Sequence, residues 1–300
     1  MIQSKKPSIR SCVGFALFCV GVFLTSQILI TYTVMFSLTK GMIFAVISKD
    51  PGAYFPLTDE RTVIEFIKFL ADTVYSLSSV LSIISNALTV TVLILTVRLR
   101  RMKMTEKFGI RKAPPLPCIA TAIFAFSVSV AIMIALSLIP FPDSWVSSYT
   151  DSSSFLSKGN ELLNFIAAVI AAPICEELVF RGGVYRSLSD AVSRPLAIFI
   201  SSLIFGVMHG TAIWVAYTFV LGIIMCWIYD RFNSLIAPII FHAAFNLFGS
   251  YMSYLYELSE TATTVIFYLL LLLLVPNALY ISRATRHSGR SDDWNLLDML

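Results

Sequence analysis

Apolar residues dominate the chain in long runs, broken at intervals by short polar stretches. A helix that crosses a bilayer needs about 20 mainly apolar residues. Eight runs meet or approach that length, at about 12–36, 72–97, 116–139, 161–182, 195–209, 211–229, 235–256 and 262–282. The pattern predicts an all-α, polytopic integral membrane bundle. The fifth and sixth runs are the weakest: about 15 residues span only ~22 Å against a hydrocarbon core of ~30 Å. His209 and Gly210 lie between those two runs, so a break or bend is expected there. Non-helical backbone at that depth is tolerated only where protein or a wet cavity surrounds it. The segment 61–72, with Glu65, Lys68 and Asp72, reads either as an interfacial amphipathic entry to the second run or as its extension into water.

Composition agrees with this reading. Of 300 residues, 57% are hydrophobic and 13% charged, against about 25% charged in a soluble domain. The formal net charge of +4 identifies no partner, and nothing points to nucleic acid. The placement of the basic residues does carry information, because Lys and Arg collect in cytoplasmic loops. Lys5, Lys6 and Arg10 precede the first run. Arg98, Arg100, Arg101, Lys103, Lys107, Arg111 and Lys112 follow the second, with Glu106 the one acid among them. Arg186 and Arg194 follow the fourth, Arg231 the sixth, and Arg283, Arg286 and Arg290 the eighth. Every second connection is basic, so eight spans with both termini in the cytoplasm are expected. The first run is too long for a signal-peptide core and is expected to be retained. The Ser-rich stretch 143–158 reads as a linker, and the acidic tail after Arg290 as a frayed end. The expected organisation is three spans in 1–142, a core in 158–256, and a last span with a tail in 257–300.

Cys12, Cys19, Cys118, Cys175 and Cys226 form no Cys-x-x-Cys pair and lie in or beside apolar runs. They are expected to be small buried hydrophobes.

Against this background, ionisable groups inside the runs stand out. They cost at least ~2.5–3.5 kcal/mol each at the bilayer centre and are functional by default. Residues 171–183 read A-A-P-I-C-E-E-L-V-F-R-G-G. Glu177 and Arg181 are four apart and share a helical face, whereas Glu176 is rotated about 100° away. Glu177 is therefore expected to pair with Arg181, leaving Glu176 to face a site. Pro173 removes one helical hydrogen bond and can bend the rod. Phe205 and His209, and likewise His242 and Asn246, are also four apart. Gly206 and Gly210 make a small-x-x-x-small pair that would let another helix approach His209. His287, the third histidine, lies in the tail and is assigned no role.

Each of these residues alone has a bland reading. A Glu–Arg pair can hold a bundle together, an intramembrane His or Asn is often a packing residue, and Phe205 is expected to pack. Their gathering on three runs that are otherwise almost purely apolar is what points to chemistry. Glu176 with His209 can take a proton from water and deliver it to a leaving nitrogen. His242 and Asn246 can donate to a developing oxyanion. Two histidines and a carboxylate can also hold a catalytic metal, which would fall on Glu176, His209 and His242. Zinc and metal-free readings both stay open. Neither H-E-x-x-H nor G-x-S-x-G occurs.

The ordered trio E-E-L-V-F-R (Glu176–Arg181), F-G-V-M-H (Phe205–His209) and H-A-A-F-N (His242–Asn246) resembles the CPBP family. That family holds the type II CAAX prenyl endopeptidases and the bacteriocin-processing or immunity (Abi) proteins. The resemblance covers about 160–255. It implies an eight-helix intramembrane protease open to the cytosolic side, acting on a lipidated or membrane-associated peptide. It places the catalytic glutamate on Glu176, the water-activating histidine on His209 and the oxyanion pair on His242 and Asn246. Glu177 and Arg181 fall on supporting positions. The expected partners are the bilayer, in a bacterium the cell membrane, and a prenylated C-terminal or leader peptide. The alternatives are a non-catalytic immunity or scaffold protein, or a proton-coupled transporter. One tension is internal to the sequence: counted from a cytosolic Arg194, His209 falls deeper than His242.

Overall fold

The computed structural model describes residues 8–49, 60–156 and 159–285. Lys5, Lys6, His287, Arg290 and the acidic tail lie outside them. Among the described residues every regular element is helical. The first two are long rods, α1 (Ile9–Lys49) and α2 (Glu60–Leu99), so the segment 61–72 is continuous with the second span. A short α3 (Met104–Lys107) sits in the basic loop, followed by α4 (Pro115–Leu138) and α5 (Asp143–Leu156). One rod then runs from Glu161 to Ser189 in five pieces. These are α6 (Glu161–Phe165), a π-helical turn (Ile166–Ala171), α7 (Ala172–Glu177), a second π-helical turn (Leu178–Tyr185) and α8 (Arg186–Ser189). The chain ends with α9 (Arg194–Val207), α10 (Ala212–Phe232), α11 (Ile236–Leu258) and α12 (Glu260–Ala284).

Six helices are long and apolar enough to cross a membrane, and Arg194–Val207 and Ile236–Met252 are shorter apolar helices. The chain is a multi-pass integral membrane protein. The weakness expected of the sixth run is corrected. At 21 residues α10 is full length, and it closes on Asn233 in the left-handed conformation. The fifth run is short, because α9 stops at Val207. The stretch read as a linker also differs: 143–156 is a helix. Pro142 opens it, its carbonyl accepting from Trp145 and Val146 N–H, and Tyr149 sets its ring edge-on to Trp214 of α10 at 6.1 Å. The hydroxyl-rich composition hid an aromatic face at i,i+4 spacing.

The rod 161–189 is central. Its second π turn is buried at every residue and packs against α1, α9 and α10, while its first π turn meets α2 and α11. On the far side, α4 packs against both α11 and α12. All five cysteines are free and buried, as their apolar settings predict.

The Gly206/Gly210 pair splits into two roles. A Cβ at Gly206 would meet the Val215 carbonyl oxygen at 2.9 Å and the Phe219 Cβ at 3.3 Å, so its bareness lets α10 close on α9. Gly210 has open space around it and a φ of +85°. It supplies a turn that L-residues resist, and no helix packs against it. Gly206→Leu is expected to destabilise the protein by about 1–3 kcal/mol through overpacking. Gly14→Ala should be silent, since nothing lies within 4 Å of that position. Thermal unfolding of both variants in detergent checks the contrast.

Candidate active site

Glu177 closes α7, one turn before Arg181 in the second π turn. Its Oε1 accepts from Arg181 Nη1 at 2.8 Å and from His242 Nδ1 at 2.9 Å. Both Glu177 and Arg181 side chains are 0% exposed. A buried charge costs several kcal/mol unless it is paired and hydrogen-bonded, and this arrangement meets that condition across two helices. The guanidinium makes two further contacts, while its Nε has no hydrogen-bond partner among the described residues. Nη2 points to the Gly222 carbonyl at 3.4 Å, and Cζ lies 4.3 Å over the Phe205 ring.

The carboxylate at Glu177 fixes the chemistry of His242. A carboxylate only accepts, so Nδ1 carries the proton and donates it, which leaves Nε2 as the free nitrogen. Nε2 lies 3.9 Å from Glu176 Oε2. Glu176 faces away from the buried pair as the helical spacing predicts, and its side chain is 17% exposed. Its Oε2 has no hydrogen-bond partner among the described residues. The two adjacent glutamates thus meet opposite nitrogens of one imidazole. Helical geometry separated their directions but did not show that both address His242.

His209 sits past the end of α9, where its N–H closes a tight turn onto the Gly206 carbonyl at 3.0 Å. Its Nδ1 donates to the Phe205 carbonyl at 2.8 Å, so Nε2 is again the free nitrogen. The Phe205 ring stands 4.7 Å from the His209 ring and 5.9 Å, edge to face, from that of His242. His209 and His242 both stand against the Phe205 ring, so the depth difference counted along the sequence does not keep the two imidazoles apart. Phe205 packs, as expected, and as the common wall of both imidazoles.

Asn246 is one turn beyond His242 on α11, and its Nδ2 donates to the Ala168 carbonyl in the first π turn at 2.8 Å. Cys175 is buried. The Ala168 and Gly222 carbonyls are partners that side-chain motifs do not reveal.

Glu176, His209 and His242 are by type a possible metal donor set, and the structure does not gather them into a closed one. Among the described residues no three His, Cys, Asp or Glu side chains converge closely enough to hold an ion. Both Nδ1 atoms are committed to protein acceptors, which leaves both Nε2 atoms open.

Residues 158–248, which contain every group described above, match the family model of the type II CAAX prenyl endopeptidases, Rce1-like. Over this stretch the chain is similar to the Rce1-like family. The UPF0177 protein YxdF of Lactococcus lactis subsp. lactis (strain IL1403) is 32% identical to the chain over 105 residues. The match takes in 35% of this chain and 58% of that relative, so the chain spans under two thirds of the curated relative's length. No solved structure matches. The Rce1-like stretch begins just before the rod 161–189 and ends within α11, so the family likeness rests on the helices that carry the site and leaves α1, α2 and α4 outside it.

Proposed function

We propose that the chain is an intramembrane endopeptidase that hydrolyses an amide bond with water activated by Glu176 and the imidazoles. The observation that carries this is the pair of contacts on His242: Glu177 holds Nδ1 at 2.9 Å and Glu176 stands 3.9 Å from Nε2. An imidazole oriented by one carboxylate and faced by a second, partly open one is a proton-handling arrangement that packing does not require. In the reaction, Glu176 takes a proton from water whose oxygen attacks the scissile carbonyl carbon. Glu176 passes that proton, directly or through the free Nε2 of His209 or His242, to the leaving nitrogen as the C–N bond breaks, and the new carboxylic acid gives up its own proton to the amine, leaving a carboxylate and an ammonium group. No step is routed through a metal.

The Rce1-like match supports a CAAX-type protease or a related protein of that family. Substrates are then membrane-associated peptides, prenylated at the C-terminus or carrying a leader. The second reading, a non-catalytic membrane scaffold or immunity protein, draws on the wholly buried Glu177–Arg181 pair, which bundle packing alone could retain.

Purified protein in detergent, given quenched peptides of both substrate types, decides between them. Peptidase function predicts hydrolysis that falls about 10²–10⁴-fold in His209→Ala with the unfolding midpoint kept. Equal rates in wild type and variant, or no hydrolysis by wild type, favours the scaffold. An added chelator separates the two routes: a lost rate assigns a metal to the reaction, and an unchanged rate assigns the water to the carboxylate and imidazoles alone.

A further inference from the structure

We infer that Asn246 is a positioning residue that replaces the backbone donor missing at Pro173. The Ala168 carbonyl oxygen lies in the first π turn. In a helix this oxygen can accept from the N–H of residue 172 in α register or of residue 173 in π register. The N–H of Ala172 is already used on the Ala167 carbonyl. Residue 173 is proline and has no N–H. Both helical donors are therefore unavailable, inside a span where lipid offers none. Asn246 Nδ2 fills the gap at 2.8 Å from α11. The bond fastens α11 to the rod eight residues, about two turns, before Glu176, and one turn from His242 on its own helix. Asn246 thereby sets the separation between the Glu176 carboxylate and the His242 imidazole. The catalytic part of this inference rests on the peptidase reading; the structural part does not.

The test is a cycle of Asn246→Ala, Pro173→Ala and the double variant, in full-length protein purified in detergent, read by unfolding midpoint and by peptide hydrolysis. Asn246→Ala should lower the midpoint by about 3 °C or more and the turnover by about tenfold to a hundredfold. Pro173→Ala restores an N–H that can reach the Ala168 carbonyl. In the double variant it should recover most of both losses, so the two changes are strongly non-additive. Recovery of the midpoint without turnover would overturn the positioning role and make Asn246 a direct donor to the reacting carbonyl. An unchanged midpoint in Asn246→Ala, or additive losses, would overturn the inference outright. If Pro173→Ala does not fold, Asn246→Asp decides, because it sets an acceptor against the carbonyl. It must lower the midpoint more than Asn246→Ala does, and an equal or smaller loss contradicts the bond. If wild type hydrolyses no peptide, the peptidase reading fails while the midpoints still test the bond.

Discussion

Glu177→Ala is expected to cost about 3–5 kcal/mol of stability, the penalty for leaving a buried charge without its partner. Arg181, 0% exposed, would lose its carboxylate, and His242 would lose the acceptor that holds Nδ1. The unfolding midpoint in detergent should fall by more than about 6 °C. The double variant Glu177→Ala/Arg181→Met tests the cause. Removing both charges should return much of the stability, since replacing a buried pair with apolar groups is often near neutral. Hydrolysis should not return, because His242 would still lack its orienting carboxylate. Recovery of hydrolysis in the double variant would show that Glu177 acts only through folding.

Glu176→Gln is expected to have the largest effect on chemistry and little on stability. Its Oε2 has no hydrogen-bond partner among the described residues, so no buried network collapses when the charge is removed. The amide keeps the shape and loses the base. Turnover should fall about 10²–10⁴-fold with KM nearly unchanged, the signature of a group that acts in the transition state. Steady-state kinetics on a quenched peptide measures both numbers. A rise in KM at unchanged turnover would make Glu176 a binding group.

The parts of the site that were legible in the sequence are those set within one helix. Glu177 and Arg181 sit at i,i+4 and pair; Glu176 diverges from them; the His209–Gly210 break ends a helix too short to span. Relations between helices were not legible in the same way. That both glutamates address one imidazole depends on how α11 is rotated against the rod, and no local periodicity sets that angle. The two π turns escaped notice because a one-residue change of register leaves the apolar pattern intact. Asn246 shows the consequence most sharply: its partner is a backbone carbonyl released by a proline 73 positions earlier in the chain, a relation between a side chain and a missing N–H that motif spacing cannot display. Helix α5 was hidden by its serines, which favour turns in isolation but here lie opposite an aromatic contact to α10.

The central claim, that Glu176 and the two imidazoles turn water into a nucleophile inside the membrane, is tested most directly by isotope transfer. Purified protein and a membrane-embedded peptide are mixed in ¹⁸O-labelled water, and the products are read by mass spectrometry, with Glu176→Ala alongside. The account predicts one solvent oxygen in the new carboxylate for wild type and intact peptide for the variant. Intact peptide with wild type, or the same labelled product at the same rate from both, would contradict it.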